Sequence, residues 1–253
     1  MQKIESSSNS IIKQTKKLLT SSGRKKLGMF ILEGERLVRD ALLCGADIEY
    51  ILVSESFDAE DITDSVRMYQ IPDKLFNELK TTVNSQGILA VARYNLLDTC
   101  DIDVSKGTYL YLDSISDPGN MGTIIRSANA FGIDGIILSS GCADVMSPKV
   151  LRSTMSGIFT VKLYKDDGCV LSILSQHGFD ILGTFPNGEF SPRSFSYGDK
   201  CVIVMGNEAN GICPEVERYC THRITIPMTN DAESLNVSVA CGIMLYEAFI
   251  AKH

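Results

Sequence analysis

The sequence predicts an α/β protein with two parts, a small N-terminal α/β domain and a larger C-terminal domain built on a parallel sheet. Strand-like and helix-like patterns alternate along most of the 253 residues. Apolar runs such as 201–205 (CVIVM) carry no polar alternation, which is typical of parallel strands buried on both faces. The Asp-rich stretch 97–106 has few core-forming positions and interrupts the pattern. We therefore expect domains at 1–96 and 107–253, joined by a linker at 97–106.

The composition is that of an ordinary globular protein, with 44% hydrophobic and 22% charged residues. No apolar run approaches the roughly 18 residues of a membrane helix, and the N-terminus lacks the apolar core of a signal peptide. The eight cysteines show neither CxxC pairs nor Cys/His ligand spacing. Such scattered cysteines indicate reduced thiols in a cytoplasmic protein, so we expect no metal site. Because no apolar run is long enough for a membrane helix, we also expect no membrane association.

Charge is distributed unevenly along the chain. The net charge is -7, yet residues 1–28 carry seven Lys/Arg and a single acidic residue, Glu5. A basic N-terminal arm on an acidic body favours local contact with phosphate groups. A solvated helix face explains the same residues equally well, so both interpretations stay open at this point.

The N-terminal elements follow from local patterns. An amphipathic helix is expected at 11–19 and a loop at 20–26, and Gly45 should end a helix at 35–43 as its C-terminal cap. The remaining expected elements are strands at 30–32, 48–53 and 87–93 and helices at 58–69 and 72–79.

The C-terminal part alternates more strictly. Strands are expected at 108–113, 135–139, 160–163, 180–184, 201–205 and 223–226, with helices at 121–131, 148–155, 169–177, 214–220 and 235–251. The last helix is apolar almost all round, so it needs cover from more than one neighbour. The sheet supplies one covering surface, and we expect a second subunit to supply another.

The stretch 109–131 (YLYLDSISDPGNMGTIIRSANAF) combines a strand, a Pro/Gly loop and a helix. α/β proteins use this arrangement to hold small charged ligands at the carboxyl ends of strands. The loop is neither GxGxxG nor a phosphate loop. It offers Asn120, Gly122 and Arg126 at fixed spacing, with Asn120 expected as the helix N-cap.

Two further loops follow predicted strands. Gly206 and Glu208 come directly after 201–205. Glu208 could bind or orient a ligand or pair with an arginine. Alternatively, it is simply a residue near the N-terminus of the next helix, where the helix dipole favours an acidic side chain. Ser234 and Asn236 crowd the start of the last helix, and a single N-cap does not need both. With the strand that ends at 184–186, these loops predict a small-molecule pocket at one edge of the sheet. No Ser-His-Asp triad and no carboxylate pair of glycoside hydrolases is supported.

Taken together, three segments resemble the motifs of the SpoU (TrmH-like) RNA 2′-O-ribose methyltransferases of the SPOUT superfamily. They are 117–132 (DPGNMGTIIRSANAFG), 202–212 (VIVMGNEANGI) and 224–248 (ITIPMTNDAESLNVSVACGIMLYEA). The resemblance covers the chain from Tyr109 to its end. In addition, 30–45 (FILEGERLVRDALLCG) is similar to the ribosomal-protein-like substrate-binding domain of many members.

The resemblance implies properties that composition and periodicity do not show. The fold would be a SPOUT-type sheet with a deep trefoil knot, bound to S-adenosyl-L-methionine and packed as a homodimer through the knotted domain. The cofactor-binding residues that it implies are Thr184, Gly206, Ile226, Met228 and Leu235. The positions that match the catalytic and motif polar residues are Asn120, Arg126, Glu208, Ser234 and Asn236.

The implied reaction is methyl transfer to a ribose 2′-hydroxyl, a group that RNA has and DNA lacks. Arg126 would act as proton acceptor or as a cationic clamp on a neighbouring phosphate, and both roles stay open because a neutral guanidinium is costly. Ribosomal RNA is favoured over transfer RNA as the partner. The alternatives are a transfer RNA 2′-O-methyltransferase and a non-catalytic RNA-binding or ribosome-assembly protein with the same fold. A Rossmann methyltransferase or dehydrogenase is disfavoured, because the required Gly-rich loop and acidic residue are not found in order.

Overall fold

The computed structural model describes residues 1–59, 62, 65–229 and 234–253. They form two compact units. The first contains 1–95 and 144–159, and the second contains 96–143 and 160–253. The domain boundaries derived from the sequence stay a prediction. That prediction placed 144–159 inside a contiguous domain at 107–253, whereas the structure groups these residues with the N-terminal ones.

The N-terminal stretch of the first unit contains five strands and four helices in its described residues. They are β1 (Gln2–Lys3), α1 (Ser10–Leu18), α2 (Ser21–Leu27), β2 (Met29–Glu33), α3 (Glu35–Leu43), β3 (Ile48–Ser54), β4 (Met68–Ile71), α4 (Asp73–Asn77) and β5 (Ile88–Arg93). The sheet order is β1-β4-β3-β5-β2. β5 runs antiparallel to both β3 and β2, while β1, β4 and β3 are mutually parallel. Apolar residues from α1, α4 and the strands form one core cluster.

Two predicted elements of this unit are wrong. Residues 20–26 are not a loop but belong largely to helix α2, which begins after Thr20 because its hydroxyl accepts a hydrogen bond from the Gly23 amide. The stretch 58–69 forms no helix where the chain is described, and Met68–Ile71 is strand β4. Parallel pairing with β3 accounts for Met68 and Tyr69, while residues 60, 61, 63 and 64 of the predicted helix lie outside the described residues.

The rest of the chain provides the second sheet and two helices of the first unit. Its elements are β6 (Leu97–Asp98), a 3₁₀ turn (Thr99–Asp101), β7 (Gly107–Leu112), α5 (Pro118–Ala130), β8 (Gly135–Leu138), α6 (Pro148–Thr154), α7 (Gly157–Thr160), β9 (Leu163–Lys165), α8 (Val170–Gln176), β10 (Asp180–Thr184), β11 (Lys200–Met205), α9 (Pro214–Glu217), β12 (His222–Ile224) and α10 (Val237–Ile250). Helix α6 and most of α7 fall within the first unit.

In the described residues of the second unit, seven strands form one parallel sheet in the order β12-β10-β11-β7-β8-β9-β6. The predicted parallel α/β fold is therefore confirmed, whereas the trefoil knot stays a prediction. The predicted linker 97–106 contributes the edge strand β6, where Leu97 pairs with Tyr164. The predicted strand at 160–163 is displaced, because Thr160 ends α7 and β9 begins at Leu163.

Helix α10 packs against α5 and β11. It keeps Cys241, Met244, Leu245 and Ala248 buried, while three apolar side chains lie about half exposed: Val239, Tyr246 and Ile250. Within the described ranges, no helix is long and apolar enough to cross a membrane.

Candidate functional site

A cavity of about 480 Å³ lies in the second unit, lined by the ends of β10, β11 and β12 and the start of α10. Carboxyl ends of neighbouring parallel strands form the usual ligand crevice of α/β sheets. The cavity brings together nine of the ten cofactor-binding and catalytic positions that the resemblance implies: Asn120, Thr184, Gly206, Glu208, Ile226, Met228, Ser234, Leu235 and Asn236. The predicted pocket at one edge of the sheet is therefore present.

Arg126, the tenth residue, is not among the described residues that line the cavity. It lies exposed on α5, six positions after Asn120. Six positions correspond to about 600° of rotation around an α-helix, so the two side chains leave α5 on different faces. Within a single chain, the structure does not place Arg126 with the other nine residues.

Helix α5 begins earlier than its sequence pattern indicates. Asp117 is the N-cap, because its carboxylate accepts a hydrogen bond from the Asn120 amide at 2.8 Å, and Pro118 occupies the first helical position. The expectation that Asn120 caps this helix is therefore wrong. Since Asp117 performs the capping, the Asn120 side chain is available for contacts with other loops.

Glu208 lies beside the N-terminus of α5. Its carboxylate accepts hydrogen bonds from the Asn120 side-chain amide at 3.0 Å and from the backbone amides of Asp117 at 3.1 Å and Ser116 at 3.3 Å. A carboxylate is stabilised at a helix N-terminus by unsatisfied amides and by the helix dipole. The alternative interpretation, that Glu208 lies at the N-terminus of the next helix along the chain, is wrong. That helix, α9, begins only at Pro214, and Glu208 lies instead at the start of α5 from the first motif.

The same contacts determine the ionisation of Glu208. Partial burial opposes ionisation, but the hydrogen bonds from Asn120 and from backbone amides outweigh it and lower the pKa of Glu208 below its ordinary value. Glu208 is therefore an anion at neutral pH and serves as a hydrogen-bond acceptor.

Asn236 connects the third motif to the first. It caps α10, because its side-chain oxygen accepts a hydrogen bond from the Ser238 amide at 2.9 Å. Its side-chain nitrogen donates to the Asn120 side-chain oxygen at 3.0 Å. A continuous series of hydrogen bonds therefore runs from Glu208 through Asn120 to Asn236. Asn236 both caps the helix and reaches the first motif, which leaves Ser234 as an exposed residue of the cavity wall.

The loop after β11 depends on a close backbone approach. A Cβ atom on Gly206 would lie 2.2 Å from the carbonyl carbon of Gly211, so only glycine fits there. Asn207, which sequence reasoning did not select, pairs through its backbone with Gly211 and donates its side-chain amide to the Ser114 carbonyl at 2.7 Å. The adjacent Gly206 and Glu208 were the only signal that pointed towards it.

The opposite side of the cavity is more apolar. Thr184 donates its hydroxyl to the Val204 carbonyl at 2.9 Å, which ties the end of β10 to β11. The remaining lining residues not selected from the sequence are mostly apolar: Phe185, Pro186, Met205, Gly211, Ile224, Val237 and Ala240. The cavity thus combines an apolar wall with an edge of amide and carboxylate groups, the usual composition of a small-molecule site.

Comparison with known proteins identifies this arrangement. The sequence profile of the SpoU rRNA Methylase family matches residues 107–246, and that of the MRM3-like substrate binding domain matches residues 9–90. The class defined by fold and site is that of an RNA methyltransferase with a SPOUT-type parallel sheet. The chain belongs to the SpoU rRNA Methylase family, as the resemblance of its three motifs predicted.

Relatives of similar length support the assignment. The 23S rRNA (guanosine(2553)-2′-O)-methyltransferase RlmP of Bacillus subtilis is 30% identical over 97% of this chain and 98% of its own length. An AdoMet-bound rRNA methyltransferase from Sinorhizobium meliloti is 30% identical, with a TM-score of 0.85 over 98% of this chain and 97% of that one. The SpoU methyltransferase AviRb from Streptomyces viridochromogenes, in complex with AdoMet, is 27% identical, with a TM-score of 0.86 over 96% and 98%.

Proposed function

We propose that this protein transfers a methyl group from S-adenosyl-L-methionine to a ribose 2′-hydroxyl of structured RNA, with ribosomal RNA as the substrate. The observation that carries the proposal is the hydrogen-bonded series Glu208–Asn120–Asn236, which joins the three motifs beside one cavity. Because these polar groups lie at one place, they can orient a cofactor and a ribose towards each other.

Two relatives guide the choice of RNA. RlmP is named for 2′-O-methylation of a guanosine in 23S rRNA. A Synechocystis relative, 29% identical over 97% of this chain, is named as an uncharacterized tRNA/rRNA methyltransferase. Ribosomal RNA is therefore our proposal, and transfer RNA is the alternative that the experiment below distinguishes.

The residues present fit S-adenosyl-L-methionine. Its adenine suits the apolar wall that contains Ile226, Met228 and Leu235, and its polar groups suit backbone atoms near Thr184 and Gly206. When bound, the cofactor supplies an electrophilic methyl group. Among the described residues, no group of three or more His, Cys, Asp or Glu side chains could hold a metal ion, and the proposed chemistry requires none.

The protein's own groups would orient the ribose and accept or stabilise charge. Anionic Glu208 accepts a hydrogen bond from the Asn120 side chain, and Asn120 accepts one from Asn236. These bonds would fix the orientation of both amide side chains relative to the substrate. Arg126 would clamp a neighbouring phosphate or accept the 2′-hydroxyl proton. As a clamp the Arg126 side chain stays a charged guanidinium, whereas a proton acceptor would first have to lose its proton at high cost, so the clamp is the role we favour.

A homodimer would explain why Arg126 lies away from the cavity of its own chain. Helix α5 carries exposed Arg126, and its neighbour α10 exposes the apolar side chains of Val239, Tyr246 and Ile250. A second copy packed on this surface would cover the apolar side chains and would bring an Arg126 towards a reacting ribose. Sedimentation equilibrium tests this point: a dimer that Tyr246→Glu converts to monomer is expected, and a monomeric wild type would contradict it.

The basic N-terminal residues would supply contacts with RNA phosphates. Lys13, Lys17, Lys25 and Lys26 lie exposed on α1 and α2. Arg24, which we predicted as part of the same basic arm, is buried and donates to the Asp144 carboxylate at 2.7 Å. Of the other predicted basic residues, Lys3 lies in β1 and Lys16 pairs with Glu78. The basic surface proposed for RNA therefore consists of the four helix lysines, called here the lysine face. A cytoplasmic location remains a prediction.

The decisive experiment is transfer of tritiated methyl groups from S-adenosyl-L-methionine to total RNA from a strain that lacks this gene. Wild type is compared with Arg126→Ala, and labelled RNA is separated by size and hydrolysed to locate 2′-O-methylnucleosides. We expect label in one ribosomal RNA and a loss of at least about 100-fold in the variant.

The other outcomes are distinct. Label in transfer RNA would replace ribosomal RNA as the substrate class. Cofactor binding without label in any RNA would favour a non-catalytic RNA-binding or ribosome-assembly protein. Full activity of Arg126→Ala would remove that residue from the mechanism.

A further inference from the structure

We infer that Phe185 is an affinity-determining wall of the cofactor cavity and that Arg223 is the residue that positions its ring. This inference rests on the proposed function, since it takes S-adenosyl-L-methionine as the occupant of the cavity. In the sequence, the strand end at 184–186 helped to predict the pocket and Thr184 was named as a cofactor-binding residue, but no role was assigned to Phe185 or Arg223.

The backbone of Phe185 is fixed on both sides. Its amide donates to the Ile224 carbonyl at 2.9 Å, and its carbonyl accepts a hydrogen bond from the Thr225 hydroxyl at 3.0 Å. Both partners lie at the end of β12 or directly after it, so the residue that follows β10 is tied to the neighbouring strand. Phe185 therefore lines the cavity from a defined backbone position.

Gly183 makes room for the aromatic ring. A Cβ atom on Gly183 would lie 2.4 Å from Cε2 of Phe185 and 2.7 Å from the Cys220 sulfur. The ring therefore rests closely against the backbone of β10, in space that any other residue at 183 would occupy. Its position depends on this glycine as well as on its own backbone.

Arg223 lies against the same ring. Its guanidinium carbon is 3.6 Å from the Phe185 ring centroid, within the range of a cation–π contact. The guanidinium also forms an ion pair with Glu217, and its Nε lies 3.5 Å from the Asn187 carbonyl oxygen. The ion pair offsets the positive charge of Arg223 near a cavity proposed to bind a sulfonium cation. Arg223 thus holds the ring while adding little net charge to the site.

The consequence concerns binding of the cofactor. A half-buried ring held by Gly183 and Arg223 loses little further freedom when a ligand packs against it, so its contact contributes directly to affinity. An aliphatic side chain would retain part of the apolar contact but not the cation–π contact. We therefore expect Phe185 and Arg223 to act on cofactor affinity, with RNA affinity unaffected.

The test is isothermal titration calorimetry of the full-length protein with S-adenosyl-L-methionine and with S-adenosylhomocysteine. Loss of the ring in Phe185→Leu is expected to weaken binding of both about tenfold, and loss of the cation in Arg223→Gln about threefold. Phe185→Tyr should restore near-wild-type affinity. Arg218→Gln is the matched control, since its guanidinium carbon lies 4.9 Å from the Tyr219 ring centroid but neither residue is among those that line the cavity.

Each outcome has a defined meaning. Thermal unfolding of every variant identifies any loss of affinity that comes from misfolding, and Phe185→Tyr keeps the test valid if Phe185→Leu is unstable. In turnover, the KM for the cofactor should rise with little change in kcat. Wild-type affinity in folded Phe185→Leu, or an equal loss in Arg218→Gln, would overturn the inference alone. A wild-type protein that binds neither compound would overturn the proposed function and the inference together.

Discussion

Each unit of the molecule uses a glutamate to hold a distant segment of chain, but the two glutamates have different surroundings. In the first unit, Glu33 at the end of β2 is buried and accepts hydrogen bonds from the Thr81 amide at 2.6 Å and from the hydroxyls of Thr81 and Thr82. In the second, exposed Glu208 accepts hydrogen bonds from the start of α5 and borders the cavity.

The difference separates stability from function. The groups that donate to Glu33 all belong to a loop of its own unit, and burial makes the loss of that carboxylate costly for folding. Glu208 is exposed, so folding depends on it less, while its partner Asn120 belongs to the proposed catalytic set. In this molecule, the glutamate whose partner lines the cavity is therefore the one we expect to affect function.

The largest expected effect is on catalysis. Glu208→Ala leaves Asn120 without its anionic acceptor, so methyl transfer should fall about 100-fold with a change in unfolding temperature of only a few degrees. Steady-state methylation and thermal unfolding measure the two effects, with exposed Glu215→Ala as the control. If Glu208→Ala lowers stability as strongly as it lowers activity, the assignment of Glu208 to function and Glu33 to stability is contradicted.

The next effect is on stability. Glu33→Ala leaves the Thr81 amide and two hydroxyls without their acceptor, which should lower the free energy of unfolding by about 2 kcal/mol. Cofactor affinity should be unchanged, because Glu33 is not among the described residues that line the cavity. Urea unfolding and calorimetry test both statements against Glu55→Ala, an exposed glutamate of the same unit. A wild-type unfolding midpoint would contradict the structural role.

The pH dependence of stability should follow from Glu33. Burial opposes its ionisation, but the hydrogen bonds from Thr81 and Thr82 lower its pKa below the ordinary 4.5. Because the folded-state pKa is depressed, the stabilisation is complete above pH 4.5 and is lost as the pH falls through the folded-state value. The stability difference between wild type and Glu33→Gln should therefore shrink below pH 4.5. A difference that stays constant from pH 7 to pH 3.5 would count against an ionised Glu33.

The smallest effects concern single positions of the lysine face. Each lysine changed to Gln should reduce the slope of log affinity for RNA against log salt by about one unit if it contacts a phosphate. Lys13→Gln and Lys26→Gln are suitable tests, and Lys16→Gln is the control because Lys16 already pairs with Glu78 at 2.5 Å. Filter binding over a range of salt concentrations gives the slope. Equal slopes in all variants would show that RNA binds elsewhere.

Point substitutions are needed because the basic segment is part of a folded core. Ile12 and Leu18 of α1 are buried in the core of the first unit. Deletion of residues 1–28 would therefore unfold this unit and would not isolate the contribution of charge.

The sequence predicted the parallel sheet well because its strands are unbroken apolar runs, and β10 (Asp180–Thr184) begins and ends at the predicted residues. Loops after parallel strands meet at one edge of a sheet, and this predicted where the pocket lies, whereas the individual cofactor-binding residues came from the resemblance of the three motifs. Helix α2 was missed because Ser21, Ser22 and Gly23 have the local signature of a loop. Close contact with the end of α1 accounts for Gly23, where a Cβ would lie 1.9 Å from the Lys17 carbonyl oxygen.

Contacts between distant segments could not be read from local patterns. The role of Asn120 depended on whether Asp117 or Asn120 caps α5, and both are common caps. Asn207 and Phe185 act through backbone and ring contacts with residues far away in sequence. Arg223 has no local signal at all, because its partner Phe185 is 38 positions away.

The grouping of 144–159 with the N-terminal residues restricts how this protein can be recombined. The chain passes from one unit to the other after residues 95, 143 and 159. A chimera that exchanged only residues 1–95 for those of a relative would leave Asp144 facing a foreign partner in place of buried Arg24. Exchange of RNA specificity between relatives therefore requires two grafts made together, the N-terminal segment and the short insertion that carries α6.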